Sequence, residues 1–129
     1  MRRALAALVG VWCLLALPLW VGAQSCPLAM PPYANFDPYD YEPLAVSNTG
    51  VGLTAAKILA TATPPSMALV TVETNTISFS ITGTPTAAVG HQLVAGQSMQ
   101  LCGRPAMVAF RAIRVSADAT LKITYFKAR

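Results

Sequence analysis

The chain has 129 residues, with nine Lys or Arg, five Asp or Glu and one His. That length suits one domain, and the single histidine, His91, leaves any histidine-rich metal cage or His-based triad resting on one residue. Setting aside Arg2 and Arg3 in the N-terminal leader leaves seven basic residues against five acids, or +2, too slight a positive balance to mark nucleic acid as a partner.

Arg2 and Arg3 open an apolar run from Ala4 to Leu17 that ends in Pro18 and Val21-Gly22-Ala23. A positive start, an apolar middle and small residues three and one before a junction are the layout of a secretory signal, so residues 1–23 are expected to direct export, with cleavage after Ala23. Two rival fates are an uncleaved membrane anchor and lipidation at Cys26. Pro18 and Gly22 interrupt the end of the apolar stretch, which disfavours an anchor, and Gln24 is a poor residue two before a lipidated cysteine. The expected location is therefore periplasmic or extracellular, with membrane contact only through an uncleaved leader.

Residues 24–46 hold Pro27, Pro31, Pro32, Pro38 and Pro43 together with Tyr33, Phe36, Tyr39 and Tyr41. Proline at this density removes backbone donors and blocks helix and central strand, so the segment is expected to be an extended Pro/Tyr-rich arm. It also carries Asp37, Asp40 and Glu42 and no basic residue, whereas seven basic residues follow it against Glu73 and Asp118. The two parts should attract. The arm's aromatics either lie on their own domain or stack on a neighbouring subunit, and a large exposed apolar patch on a monomer is unusual.

Cys13 leaves with the leader, so Cys26 and Cys102 remain. In an oxidising compartment they either pair, closing a long loop worth about 4 kcal/mol in the loop-entropy treatment, or stay as two separate thiols.

From residue 47 onward the pattern is of short strands. Lys57 to Ala62 is an apolar run, Met67 to Glu73 is rich in Leu and Val, and Ile77, Phe79 and Ile81 alternate with Ser78, Ser80 and Thr82. Thr74-Asn75-Thr76 has the length and chemistry of a tight hairpin. Met99 and Leu101 alternate with Ser98 and Gln100 after a turn at Ala95-Gly96-Gln97. Val108 to Val115 is a further strand whose Arg111 and Arg114 imply a bulge or an exposed edge. In the closing strand, Ala119 to Phe126, Leu121, Ile123 and Tyr125 face one way. No amphipathic helix stands out. The fold class expected for residues 47–129 is all-β: a single antiparallel β-sandwich or jelly-roll-like domain.

The stretch from Ala68 to Phe126 resembles small β-sandwich proteins found among bacteriophage structural (virion) genes. The likeness is carried by Val72-Glu73-Thr74, Gly83-Thr84-Pro85-Thr86, Val89-Gly90-His91, Phe110-Arg111-Ala112-Ile113-Arg114, Asp118-Ala119-Thr120-Leu121 and Thr124-Tyr125. It implies a sandwich that coats or joins virion parts, and it brings no catalytic or ligand residues with it.

The residues themselves offer no catalytic, cofactor-binding or metal site. His91 follows Gly90 and reads as a loop histidine. Gly96-Gln97-Ser98-Met99-Gln100 lacks the second glycine of a nucleophile elbow and leads into a strand. Gly50-Val51-Gly52 with Lys57 lacks the spacing of a phosphate loop and reads as a flexible entry to the domain. Glu73 and Asp118 read as exposed acids at strand ends.

The expected function is a non-enzymatic structural or assembly role of phage-virion type, such as surface decoration or cementing, with no cofactor. Its partners would be protein subunits, either further copies in a homo-oligomer or virion proteins. Tyr33, Phe36, Tyr39, Tyr41, Arg104, Arg111 and Arg114 are the candidate contact residues. The alternative is a secreted or envelope-associated sandwich that binds a glycan or another surface ligand.

Both tryptophans, Trp12 and Trp20, lie in the leader. Processed protein is therefore expected to have a mass beginning at Gln24 and no tryptophan emission; an intact leader in the mass spectrum of exported protein would overturn this.

Overall fold

The computed structural model describes residues 35–59 and 62–129. The signal at 1–23 and the first part of the arm, with Cys26 and Tyr33, lie outside the described residues.

Within the described residues the fold is all-β with two short helices. Strands β1 (Phe36–Val46), β2 (Met67–Thr74), β3 (Ile77–Ser80), β4 (His91–Leu93), β5 (Ser98–Cys102), β6 (Arg111–Arg114) and β7 (Ala119–Ala128) are joined with helices α1 (Ala55–Leu59) and α2 (Arg104–Ala109). The strands form a four-stranded sheet in the order β1-β7-β2-β5 and a three-stranded sheet in the order β4-β3-β6. Every pairing is antiparallel.

Strand β7 is one of the two inner strands of the larger sheet, and from Ala119 to Tyr125 its side chains alternate between buried and half-buried. Leu121, Ile123 and Tyr125 are fully buried, as expected. They stand opposite Val72, Val70 and Ala68 of β2, and all six belong to one core cluster. Ile77 and Ala112 of the smaller sheet join the same cluster with Phe110 and Met107, so both sheets share one apolar core. Burial of this kind is the main favourable term in folding.

Several expectations change. Thr74-Asn75-Thr76 does not close a hairpin, since β2 and β3 belong to different sheets. Asn75 takes a left-handed conformation, φ 57°, and turns the chain from one sheet into the other; both neighbours of β2 are already β7 and β5. Residues 57–59 of the expected strand at Lys57 to Ala62 are helical, the end of α1. Ala, Lys and Leu favour helix, and the Lys57 amide donates to the Thr54 carbonyl at 3.0 Å. The strand expected over Val108 to Val115 divides into the end of α2 and β6. A proline in the first helical turn starts α2, and the Phe110 amide closes it on Ala106. The alternation at Ile77, Phe79 and Ile81 stops early, because β3 ends at Ser80 and Ile81 is exposed while Ser78 is buried. Ser78 lies under the loop before β4 and donates to the Val89 carbonyl at 3.4 Å.

The segment expected as an arm is extended, but its described part is a strand of the sheet. Phe36–Val46 pairs with β7 from Phe36 opposite Ala128 to Val46 opposite Ala119. Its prolines are compatible with this because β1 lies at an edge, where one row of amides needs no partner. Pro38 adjoins an irregularity in the register between Pro38 and Asp40, and beyond it Glu42, Leu44 and Val46 turn inward while Tyr41, Pro43 and Ala45 are exposed.

Glu42 is therefore a carboxylate on the core side, 6 % exposed. The Tyr125 hydroxyl donates to its Oε1 at 2.6 Å and the Thr54 amide to the same oxygen at 3.2 Å. Burial, then the Glu42 hydrogen bond, pushes the Tyr125 pKa above its ordinary value. An unfolded tyrosine titrates near pH 10. A group whose pKa is raised by folding contributes stability below its unfolded pKa and loses it as the pH climbs further. Denaturation midpoints are thus expected to fall steeply above about pH 10. Tyr125→Phe should cost about 1–3 kcal/mol at neutral pH by stranding the carboxylate, and should flatten the alkaline fall. An unchanged alkaline limb in Tyr125→Phe would contradict the assignment.

Candidate functional site

The candidate contact residues divide into those committed to internal bonds and those that face outward. The acids of β1 meet the basic residues that follow them. Asp37 Oδ1 accepts from Arg129 Nε at 2.7 Å and Asp40 Oδ2 from Lys57 Nζ at 2.7 Å. Lys57 also donates to the Tyr41 carbonyl at 2.9 Å, tying α1 to β1. The Lys57 hydrogen bond, then the Tyr41 amide, holds the Asp40 pKa below its ordinary value. The expected attraction between the two parts of the chain takes the form of these specific pairs. Exposed pairs of this type are each worth about 0–1 kcal/mol, so they set register more than stability.

The aromatic residues of β1 lie along the lysines of β7. Lys127 Nζ sits 3.5 Å from the centroid of the Tyr39 ring. Lys122 shares a hydrogen bond with the Tyr41 side chain and, with Glu73, has its pKa raised; its Nζ is 3.2 Å from Glu73. Tyr39 and Tyr41 nonetheless remain 38 % and 49 % exposed. Phe36, opposite Ala128 at the start of the strand, is half-buried. The result is two separate tyrosine–lysine pairs on the β1–β7 ribbon: Tyr41 with Lys122 on the outer face of the sheet, and Tyr39, at the register break, under Lys127 on the side that Tyr125 faces.

The arginines differ from one another. Arg111 Nη1 donates to the carbonyls of Phe110 at 2.7 Å and Val108 at 3.0 Å, and a Cβ at Gly52 would meet the same nitrogen. It closes the end of α2 and is a structural group. Arg114 is paired with Asp118 at 2.6 Å, and the Asp118 carbonyl accepts from Asn75 at 2.6 Å, pinning the turn between sheets to the loop before β7. Arg104 is exposed at the first position of α2. The exposed edge expected at Arg111 and Arg114 is instead covered: β6 ends the three-stranded sheet, but Ala112 exchanges two backbone hydrogen bonds with Val51, the Arg114 amide donates to the Ser47 carbonyl at 2.9 Å, and both arginines are half-buried.

The groups considered for chemistry stand apart. His91 begins β4 rather than lying in a loop, exposed, with its ring 5.4 Å from that of Phe79. Ser98 Oγ is 2.7 Å from Thr71 Oγ1, and Asp118 is held by Arg114. Gly50-Val51-Gly52 is no flexible entry: Val51 and Ala112 exchange two backbone hydrogen bonds, of 2.9 and 2.8 Å. Among the described residues no group of three His, Cys, Asp or Glu side chains is placed to hold a metal ion, and no helix is long and apolar enough to cross a membrane.

The buried Glu42 escaped the sequence reading. Its signal was the period-two run Glu42-Leu44-Val46, hidden by the prolines around it. Comparison with known protein families, with characterised proteins and with solved structures finds no match.

Proposed function

We propose that this protein is a non-enzymatic β-sandwich with a structural or assembly role of phage-virion type, exported by its leader and acting through protein–protein contacts. The observation that carries the reading is the presence on β1 of two exposed tyrosines, Tyr39 and Tyr41, each beside a lysine of β7. Tyrosine is enriched among the residues that dominate protein interfaces, because a ring already held in place buries large area at small entropic cost. Here Lys127 lies over the Tyr39 ring in advance.

The sheet edges support contact through a face rather than through strand addition. Pro38, Pro43 and the register break blunt β1, and β5 spans only Ser98–Cys102. Blunted or short edges oppose open-ended strand pairing and so favour discrete assemblies. Arg104, exposed at the first position of α2, offers a cation to an acidic partner surface, while Arg111 and Arg114 serve the fold.

Size-exclusion chromatography with light scattering, together with co-sedimentation with virion particles, tests this. The protein is expected to form an oligomer or to bind particles, and the double substitution Tyr39→Ala and Tyr41→Ala to weaken that association at least tenfold without unfolding the chain. A clean monomer retained by a polysaccharide column would overturn the assembly role in favour of glycan binding. Association unchanged by the double substitution would overturn the assignment of the two tyrosines.

A further inference from the structure

Charge is distributed unevenly along this chain. Residues 74–103 contain no Asp, Glu, Lys or Arg, although about a quarter of the residues in an ordinary domain are charged. The stretch includes β3, β4 and β5 and the turns between them, so the Asp, Glu, Lys and Arg side chains of the described residues are confined to 36–73 and 104–129. A buried segment needs no charge, but this one is at the surface. Every residue from Ile81 to Ser98 is exposed except Pro85 and Leu93, with Val89 at 70 % and Val94 at 47 %. Depletion of charge on accessible surface marks the centre of protein interfaces.

The backbone shows which part of this surface is open. Ala112 of β6 exchanges two hydrogen bonds with Val51, and the Arg114 amide donates to the Ser47 carbonyl, so both residues point away from β3. Backbone groups alternate in direction along a strand. Ile113 therefore points at β3, where Ser78 stands opposite it, and Ile77 and Phe79 point the other way, at Leu93 and His91 of β4. The N–H and C=O of Gln92 consequently point out of the sheet, and no backbone hydrogen bond among the described residues takes them up. The groups of Val94, which point the same way, are turned back on Gln97 by bonds of 3.0 and 3.1 Å. Edge strands are usually guarded by a charge or a proline. β1 has both, and β6 is paired with residues 47–51, but β4 has no proline and no Asp, Glu, Lys or Arg.

A second copy of this chain fits the edge. Two β4 strands set antiparallel about a two-fold axis at Gln92 place the N–H of each Gln92 opposite the C=O of the other, so that two hydrogen bonds form. The same register sets Val94 of each copy beside Gly90 of the other, where no side chain obstructs it. Charge favours this partner. The chain is net positive, so copies repel through the surfaces that carry its cations, and the uncharged side is the one on which they approach without that cost. An acidic or a basic partner finds no counter-charge there.

We propose that β4 is the pairing edge of a two-fold dimer, in which the three-stranded sheets of two copies join through Gln92 and the uncharged surface around Val89 and Val94 lies at the contact. β4 spans only His91–Leu93, so the pair is weak and concentration-dependent. Once each β4 edge is occupied by the other, pairing stops at two. The inference does not rest on the assembly role. Tyr39 and Tyr41 belong to β1, at the opposite edge of the larger sheet from β5, and β5 is joined to β4 by only Val94 to Gln97. The association assigned to the tyrosines therefore builds on the pair instead of forming it.

Sedimentation of the purified full chain over a concentration series should show monomers in equilibrium with dimers. Gln92→Pro removes the outward amide and leaves the bonds of β4 to β3 in place, and it should weaken dimerisation at least tenfold. Val94→Lys, at an exposed turn position, should do the same by bringing a charge into the contact, and serves if Gln92→Pro fails to fold. Tyr39→Ala with Tyr41→Ala should leave the dimerisation constant unchanged. Hydrogen exchange followed residue by residue reads the geometry: the Gln92 amide should exchange at least tenfold more slowly in the dimer than in the monomer. A chain that stays monomeric throughout the series would overturn the pairing. A dimer insensitive to both Gln92→Pro and Val94→Lys, or one whose Gln92 amide exchanges as in the monomer, would overturn the assignment to β4. Loss of the dimer with the two tyrosines alone would overturn it too, while leaving the assembly reading intact.

Discussion

A buried carboxylate sets the terms for the N-terminal edge of this molecule. Glu42 is on the core side of β1 and has two donors for one oxygen, the Tyr125 hydroxyl and the Thr54 amide. Taking a carboxylate out of water costs several kcal/mol unless hydrogen bonds replace its hydration, so the site is stable only while both neighbours are in place. Tyr125 belongs to the central strand, and Thr54 immediately precedes α1. One side chain thus holds the edge strand, the sheet centre and the first helix in a single arrangement. The exposed pairs Asp40–Lys57 and Asp37–Arg129 follow the same alignment further along the strand.

Legibility in the sequence followed how far each segment depends on local pattern alone. Leu121, Ile123 and Tyr125 announce β7 because one flank is apolar and the other is not, and no competing preference intrudes. The same rule applied to Glu42, Leu44 and Val46 would have found β1. Proline density outweighed it there, although an edge strand tolerates proline. Asn75 was legible as a turn but not as a passage between sheets, since whether β2 meets β3 depends on β7 and β5 having already taken both of its sides. Ser78 looked like a solvent-facing position and is covered by the loop before β4, a contact that only the folded chain creates. The short helices were the least legible: one turn of Ala-Ala-Lys-Ile-Leu carries too little periodicity to separate helix from strand.

The candidate surface was legible by residue type but not by role. Tyr39, Tyr41, Arg111 and Arg114 were grouped as contact residues, yet Arg111 seals the end of a helix and Arg114 braces a turn. What separates them is the partner each finds: backbone carbonyls and a neighbouring carboxylate for the arginines, lysines of β7 for the tyrosines. A cation laid against the exposed Tyr39 ring keeps it ordered without hiding it, and this is why the two tyrosines, rather than the arginines, carry the assembly reading.

All of this requires β1 to be part of the sheet and not an arm resting on it. Native-state hydrogen exchange measures that directly, because amides open with a free energy that reports how firmly each strand is held. The β1 amides that pair with β7 are predicted to exchange with protection within about an order of magnitude of those between β7 and β2. Exchange of β1 at the rate of an open loop, with β7 still protected, would contradict the account.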